Sequence, residues 1–229
     1  MTLEEAIKAR HSVRQYLDKP IEAEKIAQLQ ELINKCNLEG GLHIQLVTEE
    51  PKAFVGGMAK YGKFRGVRNY IAMIGKKGDD VNLGYYGEKV VLLAQQLGLN
   101  TCWVALTFRK QPDQYEVRPD EKLVCVVALG YGENQGVQHL QKKSIDDVIE
   151  DKRTIVGFPL PDWFTLGIEA ALLAPTAINQ QKFTFALHDG NTVEARIRFT
   201  MLNGYAPIDL GIAKCHFEIA AGIENFKWQ

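Results

Sequence analysis

The sequence predicts an α+β fold built from two related α/β halves that pair inside one chain. Three observations lead there. Segments of helical period alternate with short apolar strand runs on both sides of a polar stretch. Leu32 to Val47 lines up without gaps against Leu172 to Leu187 as helix end, turn and strand. Two long helices correspond as well, since Gly87 to Gly211 and Gly98 to Gly222 are both offsets of 124 positions. The correspondence rests on pattern and glycines rather than identity, and two unrelated amphipathic helices would share part of it. The expected organisation is a first half over residues 1–132, a connector over 133–160 and a second half over 161–229, together one compact unit.

The elements follow in order. Thr2 with Glu5 three residues on is a capping-box pattern and starts a helix that reaches about Arg10. After Pro20, Ile26, Leu29, Leu32 and Ile33 share one face of a second helix, which Gly40-Gly41 ends. His43 to Thr48 reads as a strand, and so does Tyr70 to Ile74, stopped by Gly75-Lys76-Lys77-Gly78. A long apolar helix spans Tyr85 to Leu97, with Gly98 as its C-cap signal. Thr101 to Ala105 and Leu123 to Leu129 complete a sheet. The polar connector holds a short helix at Ile145 to Ile149. Beyond it come a helix at Trp163 to Leu173, a strand at Phe183 to Leu187 and a second long helix at Asp209 to Ala221.

Composition narrows the function classes. With 46% hydrophobic and 24% charged residues, the chain reads as a soluble globular protein. The net charge of −1 gives no global field toward nucleic acid or an anionic membrane. No apolar run approaches the roughly 18 residues of a membrane span. Met1 to Arg10 is amphipathic and charged, unlike a signal peptide. Cys36, Cys102, Cys125 and Cys215 lack paired spacing and read as reduced, mostly buried thiols of a cytoplasmic protein. The five histidines are scattered without ligand spacing, so no metal site is expected.

Four segments carry chemistry. Arg10-His11-Ser12-Val13-Arg14 sets two guanidinium groups and a hydroxyl directly after the first helix. Guanidinium forks grip phosphate oxygens in pairs, although a solvated basic helix end has the same composition. Pro175-Thr176-Ala177-Ile178-Asn179 stops an apolar helix with small residues that let a flat ligand approach the backbone, and it is equally a plain helix-to-strand turn. Gly98-Leu99-Asn100-Thr101-Cys102-Trp103 enters a buried strand, and Lys142-Lys143 precedes the connector helix.

Taken in order, these segments resemble the FMN-dependent nitroreductase family. Arg10, Ser12 and Arg14 match its opening Arg-x-Ser-x-Arg/Lys motif, Gly98, Leu99, Thr101, Cys102 and Trp103 match its strand entry, and Lys142 fits its basic segment loosely. The order departs from the family's in one respect. The Pro-Ser-x-x-Asn-like turn is absent from Lys35 to Gly41 and stands instead at Pro175 to Asn179. Family subunits pair so that one supplies the basic motif and the other the turn. The chain therefore resembles a fused, single-chain pseudo-dimer of the nitroreductase-like fold with one complete FMN site per chain, expected to be a monomer.

The resemblance implies roles. Arg10 and Ser12 would hold the FMN phosphate and ribityl oxygens, with Lys142 supporting the phosphate and His11 serving position. Arg14 would lie at the N1–O2 edge of the flavin, where positive charge raises its potential. Pro175, Thr176, Ala177 and Asn179 would pack on the isoalloxazine from the other half. Ala105, Leu106 and Thr107 would present a backbone N–H toward N5. The implied activity passes electrons from NADH or NADPH, bound transiently, to a small acceptor such as a nitro compound or quinone, and no side-chain catalyst is named. No Gly-x-Gly-x-x-Gly run follows a strand, which speaks against a separate Rossmann nicotinamide domain. A non-catalytic flavin-binding protein and an ene reductase or dehalogenase relative stand as alternatives. The loops Lys52 to Arg68 and Met201 to Ala206 are the segments expected to shape acceptor choice.

Overall fold

A computed structural model describes residues 1–137, 143–150, 160–199 and 204–229. Helix α1 (Leu3–Ala9) opens on the reciprocal Thr2/Glu5 capping box, and Arg10 caps its end in an extended conformation. Helix α2 (Ala23–Gly40) stops where Gly41 turns left-handed at φ 64°. Strands β1 (Gln45–Val47), β2 (Asn69–Lys76), β3 (Asn100–Val104) and β4 (Glu121–Gly130) form an antiparallel-paired sheet in the order β1-β2-β4-β3. Helix α3 (Asp80–Gln96) links β2 to β3.

The sheet is covered on both faces, which is why its strands read as continuous apolar runs rather than alternating ones. Ile71, Met73, Cys125, Val127 and Leu129 point into the core shared with α2 and α3. Their neighbours Tyr70, Ala72, Ile74, Val126 and Ala128 point into a second core with Val13, Tyr16 and Phe54.

The short helix α4 (Ile145–Val148) precedes α5 (Asp162–Ala171). A second sheet contains β5 (Phe183–His188), β6 (Thr192–Ile197) and β7 (Lys227–Trp228), with β6 antiparallel to β5 and parallel to β7. Helix α6 (Ala206–Ala221) joins β6 to β7 and ends at Gly222, φ 75°. The α3–α6 packing is the most extensive helix contact in the fold. Phe185 and Phe217 stack at 4.9 Å between ring centres, with Phe164 and Phe226 edge-on to Phe217.

Several expectations need correction. The long helix begins at Asp80, five residues before Tyr85, where Asp80 and Asn82 interrupt the apolar pattern that Leu83 already shares. The strand expected to stop before Gly75 runs through to Lys76, since that glycine continues the pairing with Lys122. Strands β6 and β7 were not expected from the sequence. Val193 is the one buried residue of β6, although Val193, Ala195 and Ile197 alternate with polar residues along it. All four cysteines are buried and unpaired, as expected. Burial pushes their thiols up, Cys36 to about 11. Among the described residues, no helix is long and apolar enough to cross a membrane.

Candidate functional site

Arg10 to Tyr16 leaves α1 and runs extended past the end of the first sheet. Val13 N–H donates to Thr101 O at 3.0 Å, and Ser12 bridges Thr101. Tyr16 N–H donates to Arg65 O at 2.9 Å, while Arg65 N–H donates to Arg14 O at 3.0 Å. The Tyr16 hydroxyl, itself buried, donates to Val13 O at 2.8 Å. The basic motif is therefore fixed by backbone pairing on two sides, and its polar side chains project between those fixed points.

From the other half, the turn after α5 approaches the same place. It is tightly folded: Ile178 and Asn179 have φ of 47° and 55°, and Gln181 has 45°. Ala177 N–H donates to the Asp209 carboxylate at 3.0 Å, and Gln180 Nε2 donates to it at 2.8 Å. Gln181 N–H donates to Thr176 Oγ1 at 3.1 Å, and Gln181 Nε2 donates to Leu172 O at 2.9 Å. Asp209, in the first turn of α6, thus pins the turn.

A cavity of about 830 Å³ opens between these two segments, within the roughly 300–1,000 Å³ of small-molecule sites. Arg10, His11, Ser12 and Arg14 line one side, and Pro175, Thr176, Ala177 and Asn179 another. Ala105, Leu106 and Thr107 border it after β3. The remaining sequence candidate, Lys142, lies outside the described residues. Its neighbour Lys143 donates to Gln181 O and lines a different cavity, with burial and then the charges of Lys182 and Arg198 lowering its pKa.

The electrostatics of the cavity are uneven. Arg10 is buried, and its Nη1 has no hydrogen-bond partner among the described residues. The Arg14 guanidinium sits 6.0 Å from the Phe64 ring centre. Burial, and then the Arg10 charge, lower the pKa of His11. At the opposite wall burial pushes the Asp209 carboxyl up to about 6, against the donors from Gln180 and Ala177, which pull it down.

The structure adds residues that the motifs do not contain. Lys63 and Phe64 enter from the loop after β1, and Tyr205, Ile208, Asp209 and Ile212 from the start of α6. Lys63, Phe64 and Tyr205 belong to the two loops singled out in the sequence. Asp209 had a signal of its own, a lone acid in the apolar run Ala206–Ala213. Apolar walls, two arginines at one side and a backbone turn at another suit a flat, anionic, heteroaromatic ligand.

The "Putative TM nitroreductase" family model matches residues 2–221. Among solved structures, a "putative nitroreductase" from Thermotoga maritima MSB8 superposes with a TM-score of 0.67 at 22% identity, covering 98% of this chain and 85% of that one. A "putative nitroreductase in complex with FMN" from Desulfovibrio desulfuricans gives 0.52 at 16% identity, covering 70% of this chain and 99% of that one. A nitroreductase family protein from Streptococcus pneumoniae TIGR4 gives 0.52 at 12% identity, covering 66% and 100%. At these identities the likeness is one of fold. No curated protein matches the sequence.

Proposed function

Since the chain belongs to the nitroreductase family over residues 2–221, we propose that it is an FMN-dependent oxidoreductase that passes electrons from NADH or NADPH to a small acceptor. The observation that carries this reading is the meeting of Arg10, Ser12 and Arg14 with Pro175 to Asn179 around one cavity. The residues present fit FMN. A buried guanidinium with a partnerless Nη1 suits a phosphate, and apolar walls beside a backbone turn suit a flat ring system.

FMN, when bound, supplies hydride acceptance from the nicotinamide and onward delivery to the acceptor. The protein supplies position and charge. Arg10 and Ser12 hold the phosphate and ribityl oxygens, and Arg14 sets positive charge at the N1–O2 edge. The turn Pro175, Thr176, Ala177 and Asn179 covers the ring from the second half, and Ala105 to Thr107 offer backbone N–H groups toward N5. No side chain is assigned as an acid or base. Lys63, Phe64 and Tyr205 border the space in which nicotinamide and acceptor take turns.

The same reading takes the chain as a fused pseudo-dimer, halves 1–132 and 161–229 joined by 133–160, with one site and a monomeric functional unit. Gly84 and Ile208, offset by the same 124 positions as the glycine repeat, meet where α3 and α6 cross, which supports it. Four buried, unpaired thiols support a reducing, cytoplasmic setting.

The test is titration with FMN, followed by the visible spectrum and tryptophan quenching, with Arg14→Ala alongside. Saturation near one FMN per chain, weakened by the substitution, is expected, and a steady-state screen with NADH, NADPH, quinones and nitroaromatics then follows. Two equivalents per chain would sink the single-site reading. No binding would remove the flavoenzyme reading. Bound FMN without turnover would favour a flavin-binding protein.

A further inference from the structure

Behind Arg10 lies a buried polar chain that the motifs do not contain. Glu88 on α3 and His216 on α6 both have no exposed surface, and Arg10 has 5%. Glu88 Oε1 lies 3.7 Å from Arg10 Nε and 2.9 Å from His216 Nε2. Glu88 Oε2 accepts from Trp103 Nε1 at 2.9 Å. His216 Nδ1 lies 3.1 Å from the carbonyl oxygen of Ala170.

Donors and acceptors constrain the protonation here. A carbonyl oxygen only accepts, so His216 Nδ1 carries a hydrogen. Nε2 faces an oxygen of Glu88, and with that carboxyl ionised, between the Trp103 N–H and the Arg10 guanidinium, a bare ring nitrogen would set lone pair against lone pair. A hydrogen on Nε2 as well resolves both contacts and makes the ring an imidazolium. The charge count then follows. Glu88 brings one negative charge against two positive ones, His216 at 2.9 Å and Arg10 at 3.7 Å. One positive charge is left over in a buried site, which is costly unless an anion meets it. The unpartnered Nη1 of Arg10, on a side chain lining the cavity, is the group such an anion would meet.

We propose that His216 is held as an imidazolium that offsets Glu88, so that Arg10 keeps its full charge for a phosphate group in the cavity. The phosphate is that of FMN, and to that extent the inference rests on the function proposed above. His216 touches neither cofactor nor substrate. It is a positioning residue, acting through Glu88 from the opposite half of the chain.

The experiment compares FMN with riboflavin, which has the same ring and no phosphate, on the wild type, His216→Phe and the pair Glu88→Gln/His216→Phe. In His216→Phe the unbalanced Glu88 carboxylate turns on Arg10. The preference for FMN over riboflavin should fall about tenfold or more, as for loss of a charge-assisted contact, while riboflavin affinity holds. Removing the carboxylate in the double variant should bring the preference back. Equal losses for both flavins, or no recovery in the double variant, would overturn the proposal. Nitrogen NMR of the histidine side chains in the ligand-free wild type tests the charge assignment independently, because both His216 nitrogens should be protonated near neutral pH. A bare ring nitrogen refutes it. A wild type that binds neither flavin defeats the flavin reading alone, and the NMR result still decides the state of His216.

Discussion

Gly84 on α3 lies directly against the backbone of Ile208 on α6: a Cβ at Gly84 would stand 2.2 Å from the Ile208 carbonyl oxygen. Gly211 makes the converse approach, where a Cβ would stand 2.0 Å from Val81 O. Backbone cannot swing aside as a flexible side chain can, so an added methyl must push the helices apart. Gly84→Ala and Gly211→Ala should each cost about 3 kcal/mol, the upper part of the range for overpacking, in denaturant unfolding. Gly204→Ala, where a Cβ meets nothing within 4 Å, is the control. A loss below about 0.5 kcal/mol in Gly84→Ala, the ordinary scatter of surface changes, would mean that the crossing is looser than described.

Gly66 clamps the basic motif from the other side. Its φ of 71° is left-handed, and a Cβ there would stand 2.1 Å from Tyr16 O. The adjacent Arg65 pairs with both Arg14 and Tyr16 through the backbone. Gly66→Ala should therefore lower stability by about 2–3 kcal/mol, combining left-handed strain with a backbone clash. FMN affinity should fall with it in the same titration, because the segment bearing Ser12 and Arg14 is displaced. Intact FMN binding in a destabilised variant would separate the clamp from the site.

How far these features are legible in the sequence depends on whether they are local. The Thr2/Glu5 box, the left-handed Gly41 and the stops at Gly98 and Gly222 are set by chemistry within a few residues, and reading along the chain finds them. Arg10, Ser12 and Pro175 stood out by motif. Glu88 did not, because an acid on a long helix normally faces water. It is buried where α6 supplies His216, 128 residues away, with Trp103 and Arg10 beside it. Strand β6 was legible in the alternation of Val193, Ala195 and Ile197 with polar residues, whereas β7, only Lys227–Trp228, is too short to carry a period. Asp209 lies between these cases: its isolation among apolar residues was visible, but its partners Ala177 and Gln180 are contributed by another element.

Asp209 gives a pH prediction with a definite sign. Burial raises its carboxyl from 3.8 to about 6. A raised acid contributes stability that is fully present below 3.8 and is lost as the pH rises through about 6. Near neutral pH the ionised group therefore weighs against the folded state by about 2–3 kcal/mol. Asp209→Asn removes the charge and keeps an acceptor for Ala177, with Gln180 turning its amide over. Its melting temperature should exceed that of the wild type above pH 6, and the gain should vanish below 3.8. A constant offset at every pH would show that packing, not ionisation, separates the two proteins.

Ile178 joins strain to the site. It is a β-branched residue at φ 47°, 80% exposed, and it lines the cavity. Left-handed backbone costs such a residue roughly 1–2 kcal/mol, and its exposed side chain recovers little by burial. Glycine removes the strain and adds back about 0.5–1 kcal/mol through the freer unfolded chain. Ile178→Gly should accordingly leave stability unchanged or raise it by up to about 1 kcal/mol, within the usual range for relieving strain. If the strained residue holds the turn in shape for the flavin ring, the same variant should bind FMN and riboflavin more weakly, and by the same factor, because on the proposed reading the turn meets the ring and not the phosphate. A rise in melting temperature together with equal losses for both flavins is the expected pair of results. A variant that is more stable and binds both flavins unchanged would show that the strain at Ile178 serves no purpose at this site.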